Sequence, residues 1–253
     1  MRDNKLSELL TAGRPAYGVW LSIPSPATAR QLARAGADFL VVDAEHGPMG
    51  AETMSAMVAA IADAGGCAVV RIAENTTENV KRALDAGASA VIGPMIDTAD
   101  EAAALVAAAK FPPVGRRSLG SAWAGLAFDT TLPGYFTEAN AKTLVIAQIE
   151  SAAALSNVEQ IAAVPGLDGL FVGPVDLSVS LGLPPAPENP ELAGPLVTIR
   201  QAAARHSLPV GIYCSDSRAA VDRVQSGFQF VNVAGDLAAL LREVRWQVGQ
   251  VRP

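Results

Sequence analysis

Several residue types on which whole protein classes depend are scarce in this chain of 253 residues. Its two cysteines, Cys67 and Cys214, lie within or at the end of apolar runs, which argues against a disulfide framework and for reduced thiols. With only two histidines besides, no cluster suits structural zinc. No apolar run is long enough to span a bilayer, and the start, Met1-Arg2-Asp3-Asn4-Lys5, lacks the apolar segment of a signal peptide. A cytoplasmic protein without membrane contact is therefore expected. The net charge is −6, and no basic run extends beyond Arg116-Arg117, so a nucleic-acid surface is not expected. Neither a P-loop nor a Gly-x-Gly-x-x-Gly fingerprint is present, which leaves nucleotide cofactors unsupported. Small molecules are the expected partners.

What the chain does have is apolar residues at 50% and a regular rhythm. Short β-branched runs alternate with Ala-rich stretches of helical length, the pattern of a parallel sheet wrapped by helices. Eight strands are predicted, at residues 17–23, 39–43, 68–72, 90–93, 144–149, 169–172, 210–213 and 228–233. That count and length predict an α/β fold, a TIM (β/α)8 barrel forming a single domain over residues 1–253. Ser25-Pro26 reads as an N-cap followed by a first-turn proline, and Thr98-Ala99-Asp100-Glu101 as a capping box. Gly36, Gly87, Gly166 and Gly227 each fall between helix and strand, where a left-handed residue ends a helix. Residues 111–140 and the proline-rich 181–195 break the rhythm; both are expected on the strand-to-helix side, near the active-site mouth.

On such a barrel reactive side chains come from the C-terminal ends of several strands. The second strand delivers Asp43-Ala44-Glu45-His46-Gly47-Pro48, the third Arg71, the fifth Gln148 and Glu150, the sixth Gly173-Pro174-Val175-Asp176. The first, seventh and eighth add Trp20, Cys214 and Asp236. Glu150 and Asp176 each follow an apolar run and lie one strand-and-helix unit apart, so both carboxylates point into one space. Oxygen ligands with open positions suit Mg²⁺ or Mn²⁺. The same pair could serve a glycosidase, but three Trp and three Tyr offer little surface for stacking sugars. His46 is the expected general base, with Asp43 near enough to orient its ring; histidine titrates close to neutral pH. Arg71 would be costly at the barrel mouth without an anion, and could stabilise an enolate, bind a carboxylate, or form a structural ion pair. None of the four lysines (5, 81, 110 and 142) falls at a strand's C-terminal end, which removes Schiff-base chemistry and leaves a metal as the electron sink. Cys214 is read as a core residue and His206 as part of a helix exit.

As a set and in order, Asp43-Ala44-Glu45-His46-Gly47-Pro48, Val69-Val70-Arg71, Gln148-Ile149-Glu150 and Gly173-Pro174-Val175-Asp176-Leu177-Ser178 resemble the motifs of the HpcH/HpaI family of metal-dependent pyruvate aldolases. The likeness runs over most of the chain. It implies that Glu150 and Asp176 bind Mg²⁺, Mn²⁺ or Co²⁺, on which a 2-oxo acid chelates, while Gln148 and the backbone at Val175 hold the substrate. It implies that His46 accepts the proton of the 4-hydroxyl and that Arg71 stabilises the pyruvate enolate left when the C3 to C4 bond breaks, with an aldehyde as the other product. Asp85 matches an aspartate that raises the histidine's basicity. Since Asp85 closes the helix after the third strand, it belongs on the opposite face and could reach a histidine only in a neighbouring subunit; a homo-oligomer, the family's hexamer, is expected.

Two departures bear on substrate. The family's Arg-Gly-x-Gly-Ser segment reads Arg117-Ser118-Leu119-Gly120-Ser121 here, and Gly125 stands where a second arginine is usual. The aldehyde end of the substrate need not then be a carboxylate, and Trp123 would make the pocket more apolar. Two other functions fit the same fold: a CoA-thioester lyase of the citrate lyase beta or malyl-CoA lyase type, which needs a basic groove, and a non-catalytic 2-oxo acid binding barrel, which has no use for His46 with Arg71.

Overall fold

The computed structural model describes residues 1–120 and 122–252. Its parallel strands close a barrel in chain order: β1 (Ala16–Leu21), β2 (Phe39–Asp43), β3 (Ala68–Arg71), β4 (Ala90–Gly93), β5 (Leu144–Ile149), β6 (Gly169–Val172), β7 (Val210–Ile212) and β8 (Phe230–Gly235). Helices cross between successive strands, and β8 returns to pair with β1. This is the TIM barrel that the rhythm predicts. The strand bounds shift most at β8, which starts two residues later than predicted and runs on to Gly235.

Side chains alternate across a strand, so each strand of the barrel has an inward and an outward set. Trp20, Phe39, Val41, Val69, Ile92, Ile146, Phe171 and Phe230 fill the interior together with Leu6 and Leu9 from helix Lys5–Thr11 at the N-terminal end. The intervening residues, among them Leu40, Val42, Val70, Val91, Val145 and Val172, face the helices in a larger apolar layer. Glycines make room for the interior rings. A Cβ on Gly18 would lie 2.3 Å from the Phe39 ring, and one on Gly211 would lie 2.5 Å from that of Phe230. The helix signals also hold: Ser25 caps helix Pro26–Ala33, and Thr98 with Glu101 forms a reciprocal capping box. Gly36, Gly87, Gly166 and Gly227 all take positive φ.

Residues 111–140 lie on the side opposite to the one expected. Helix Ala99–Ala109 completes the crossing from β4, so the segment that follows packs at the N-terminal end of the barrel. There it forms helices Ala122–Ala127 and Leu132–Lys142, and Lys110 donates to the carbonyls of Asn140 and Thr143 just before β5. Residues 181–195 do lie on the C-terminal side, where Glu188 accepts hydrogen bonds from Ser215 just past β7. The last helix, Asp236–Val251, buries only Asp236 and carries exposed Leu240, Val244 and Val251. No helix among the described residues is long and apolar enough to cross a membrane.

Candidate active site

The alternation that packs the interior also chooses what reaches the barrel mouth. Continuing the inward sets of β1, β2, β3 and β5 gives Trp20, Asp43, Arg71, Gln148 and then Glu150. All five are buried, at 5% exposure or less. Asp43 is the hub of the β1 to β3 side. Its Oδ2 accepts from Trp20 Nε1 at 3.0 Å and from Arg71 Nη2 at 2.6 Å, and its Oδ1 accepts from Arg71 Nε at 3.0 Å. The backbone N–H groups of Glu45 and His46 also donate to Oδ1, both at 3.2 Å. Burial alone would raise the Asp43 carboxyl, but Arg71, Trp20 and the His46 amide outweigh it and hold Asp43 below the usual range.

This arrangement corrects one expectation. The Asp43 carboxylate is spent on Arg71 and on backbone amides, so it shapes the turn carrying His46 without bonding to the imidazole. The ring, on an exposed turn residue, makes no hydrogen bond to another described residue. Arg71 is fixed from both sides: Glu45 Oε2 lies 2.9 Å from Nη1, and the guanidinium stacks 5.0 Å from the Trp20 ring centre. Asp43 and Glu45 bracket the guanidinium, with donors left on its η nitrogens for a ligand.

Across the mouth, Glu150 Oε1 accepts from the Met95 amide at 2.8 Å and Oε2 from Gln148 Nε2. Gly173 lets β6 approach: a Cβ there would sit 2.4 Å from Glu150 Oε2. Pro174 begins the short helix Pro174–Ser180, and its first turn presents Asp176 at the surface of the mouth. Burial pushes the Glu150 carboxyl up to about 7; the Met95 hydrogen bond and Arg71 pull the other way, while Glu45 and Asp176 add repulsion. Gln148 Oε1 is buried without a hydrogen-bond partner. A divalent cation fits here. It would relieve the repulsion between carboxylates and give the orphaned oxygen a neighbour. Among the described residues no group of three or more His, Cys, Asp or Glu is placed to hold a metal, so Glu150 and Asp176 would leave most positions to water and ligand.

Trp20, His46, Arg71, Gln148, Gly173, Pro174, Val175 and Asp176 all line one cavity of about 210 Å³, completed by Phe171 and Tyr213. Phe171 and Tyr213 are the lining residues that the strand-end motifs do not include, and Glu45, part of the His46 turn, proves to be a partner of Arg71. Cys214, past the end of β7, is a core residue as its sequence context predicts: the thiol is buried in the outer layer, where burial pushes it up to about 12. Tyr213 shares the parity of Gly211, the glycine under an interior ring, and this alternation was the available signal. Asp236 caps the other side of the rim, accepting from the amides of Ser22 and Ile23.

Asp85 lies apart from this cavity, as expected, at the end of helix Thr77–Asp85, where it accepts from Arg117 Nη2 at 2.5 Å. The Arg117 side chain is buried and stacks over Phe111 and Tyr135. Ser121, the last residue of that segment, lies outside the described residues. Trp123 does not line the cavity of its own chain. It borders a hollow on the barrel's flank with Ala59, Ala62 and Leu126. A Cβ on Gly125 would meet the backbone of residues 130 to 132 at 2.9 to 3.0 Å, so the helix turn closes tightly where the arginine is usual.

The model of the HpcH/HpaI aldolase/citrate lyase family matches residues 16–242. A 4-hydroxy-2-oxo-heptane-1,7-dioate aldolase of Salmonella heidelberg (strain SL476) is 38% identical over 240 residues, covering 94% of this chain and 91% of the relative. The crystal structure of a family protein from Burkholderia cenocepacia J2315 superposes with a TM-score of 0.91 at 37% identity, covering 99% of this chain and 100% of that one. An HpcH/HpaI aldolase from Desulfitobacterium hafniense DCB-2 also gives 0.91, at 29% identity and 97% and 96% coverage. The chain is thus an enzyme of the pyruvate aldolase type and belongs to the HpcH/HpaI aldolase/citrate lyase family.

Proposed function

We propose that this enzyme reversibly cleaves a 4-hydroxy-2-oxo acid into pyruvate and an aldehyde, with Mg²⁺, Mn²⁺ or Co²⁺ held by Glu150 and Asp176. The supporting observation is that the Asp176 carboxylate, the Gln148 amide, the bracketed Arg71 guanidinium and the His46 imidazole line one small cavity, with the buried Glu150 carboxylate hydrogen-bonded to Gln148 behind it. Held by Glu150 and Asp176, a divalent cation would supply Lewis acidity toward the 2-oxo acid. Gln148 and the backbone around Gly173, Pro174 and Val175 position the pyruvate half, and Trp20 and Phe171 wall it from water. A ring nitrogen of His46 takes the proton of the 4-hydroxyl as C4 becomes a carbonyl. The C3 to C4 electron pair passes into the enolate of pyruvate, whose oxygen Arg71 stabilises, and a proton then returns to C3. Asp43 and Glu45 act by holding Arg71.

Asp85 enters this scheme only through a second copy of the chain. Its place on the opposite face, and the exposed apolar stripe of helix Asp236–Val251, support a homo-oligomer, with the hexamer as the expected form. Pyruvate release from a racemic 4-hydroxy-2-oxo acid tests the function. We expect release with Mn²⁺, none with chelator, and a loss of about 10²- to 10⁴-fold in kcat for His46→Gln. Chelator-resistant release would contradict the metal's role.

A further inference from the structure

We propose that the N-terminal end of the barrel holds a second site, which binds a small organic phosphate through Arg200. The site is independent of the aldolase function and shares no residue with it. Residues at the starting ends of β5, β6, β7 and β8, with helix Lys5–Thr11 beside them, enclose a hollow of about 570 Å³. It is larger than the cavity of about 210 Å³ at the mouth and lies at the opposite end of the barrel.

Arg200, on helix Ala193–Arg205, is the cation of that lining. Its Nε is buried without a hydrogen-bond partner, and its guanidinium forms no ion pair with a described residue. The group is held in place all the same. It lies over the Phe228 ring at 5.8 Å, and Nη1 sits 3.0 Å from where a Cβ on Gly227 would stand. A guanidinium fixed there without a partner costs desolvation that the fold does not repay, and an anion in the hollow offsets it. The other donors agree. The hydroxyls of Ser7, Thr11 and Ser207 make no hydrogen bond to another described residue, and Gln229 gives its Oε1 to the Val210 amide at 3.0 Å, which leaves its NH₂ group free to donate. The carboxylate of the lining, Asp168, is answered by Lys110 and by the Val145 amide, each at 2.8 Å, so Lys110, Asp168 and Arg200 together carry one positive charge. The two oxygens of a carboxylate are filled by the guanidinium fork alone, whereas the three terminal oxygens of a phosphoryl group take the fork and the hydroxyl and amide donors as well. Leu10, Leu208 and Pro209 offer apolar surface to the carbon part of the ligand.

Isothermal titration calorimetry with inorganic phosphate, glycerol 3-phosphate and acetate tests the proposal, in EDTA so that no metal at the mouth takes up phosphate. The wild type should bind both phosphates, glycerol 3-phosphate the more tightly, and acetate far more weakly. Arg200→Gln should weaken phosphate binding by about ten- to a hundredfold, and Arg200→Lys, which keeps the charge, by less. Both variants should keep the wild-type mass in light scattering and the wild-type rate of pyruvate methyl exchange with Mn²⁺. A wild type that binds no phosphate, binding unchanged in Arg200→Gln, or acetate bound as tightly as phosphate overturns the proposal while leaving the aldolase function intact. A fall in mass for both variants would assign Arg200 to a subunit contact and overturn it as well.

Discussion

Glu150 sets the pH behaviour of the metal-free protein. Burial holds its carboxyl at about 7 in the fold, against an ordinary 4.5. Between those values the folded chain keeps a proton that the unfolded chain has lost, so stability falls as pH rises through that window. The difference corresponds to roughly 3 kcal/mol. Urea unfolding in chelator should therefore show Glu150→Gln gaining on the wild type by up to that amount between pH 4.5 and 8, with most of the gain removed by a divalent cation that binds the charged form. A constant difference across the range would mean that Glu150 is not buried as a strained carboxylate. At this scale the sequence was informative where strand parity was followed to the end: Asp43, Arg71, Gln148 and Glu150 all reach the mouth. It misled at His46, because adjacency along a turn does not say which atom of His46 the Asp43 carboxylate meets, and the backbone amide is nearer.

At the scale of elements, the barrel interior depends on two glycines that face phenyl rings. Gly18→Ala would drive a methyl against Phe39, whose ring lies 2.3 Å from that Cβ position, and β1 cannot yield without disturbing both neighbouring strands. The expected cost is about 1 to 3 kcal/mol or more, read as a lower thermal midpoint. An unchanged midpoint would show that Phe39 repacks freely. The strands, caps and helix-ending glycines were legible because each is a local signal. The side taken by residues 111–140 was not read correctly, although the capping box at Thr98 already announces a helix that carries the chain across from β4. Once that helix is counted, whatever follows must lie at the N-terminal end. Tyr213 is hidden for a related reason: it lies just past β7, and only the inward parity of Gly211 carried two residues on marks it.

For the whole molecule, the account requires association. Asp85 faces away from the cavity of its own chain, and helix Asp236–Val251 leaves Leu240 53%, Val244 49% and Val251 81% exposed. Light scattering should give a mass several times 26.0 kDa, and Leu240→Glu with Val244→Glu should lower both mass and activity. An active monomer would remove Asp85 from the mechanism. The central claim, that this cavity enolises pyruvate with a metal, can be tested without knowing the aldehyde. Deuterium incorporation into the methyl group of pyruvate should be followed by NMR in D₂O, with enzyme and either Mn²⁺ or EDTA. The account predicts exchange that appears with the metal and stops with the chelator; absence of exchange with every metal, while pyruvate still binds, would contradict it.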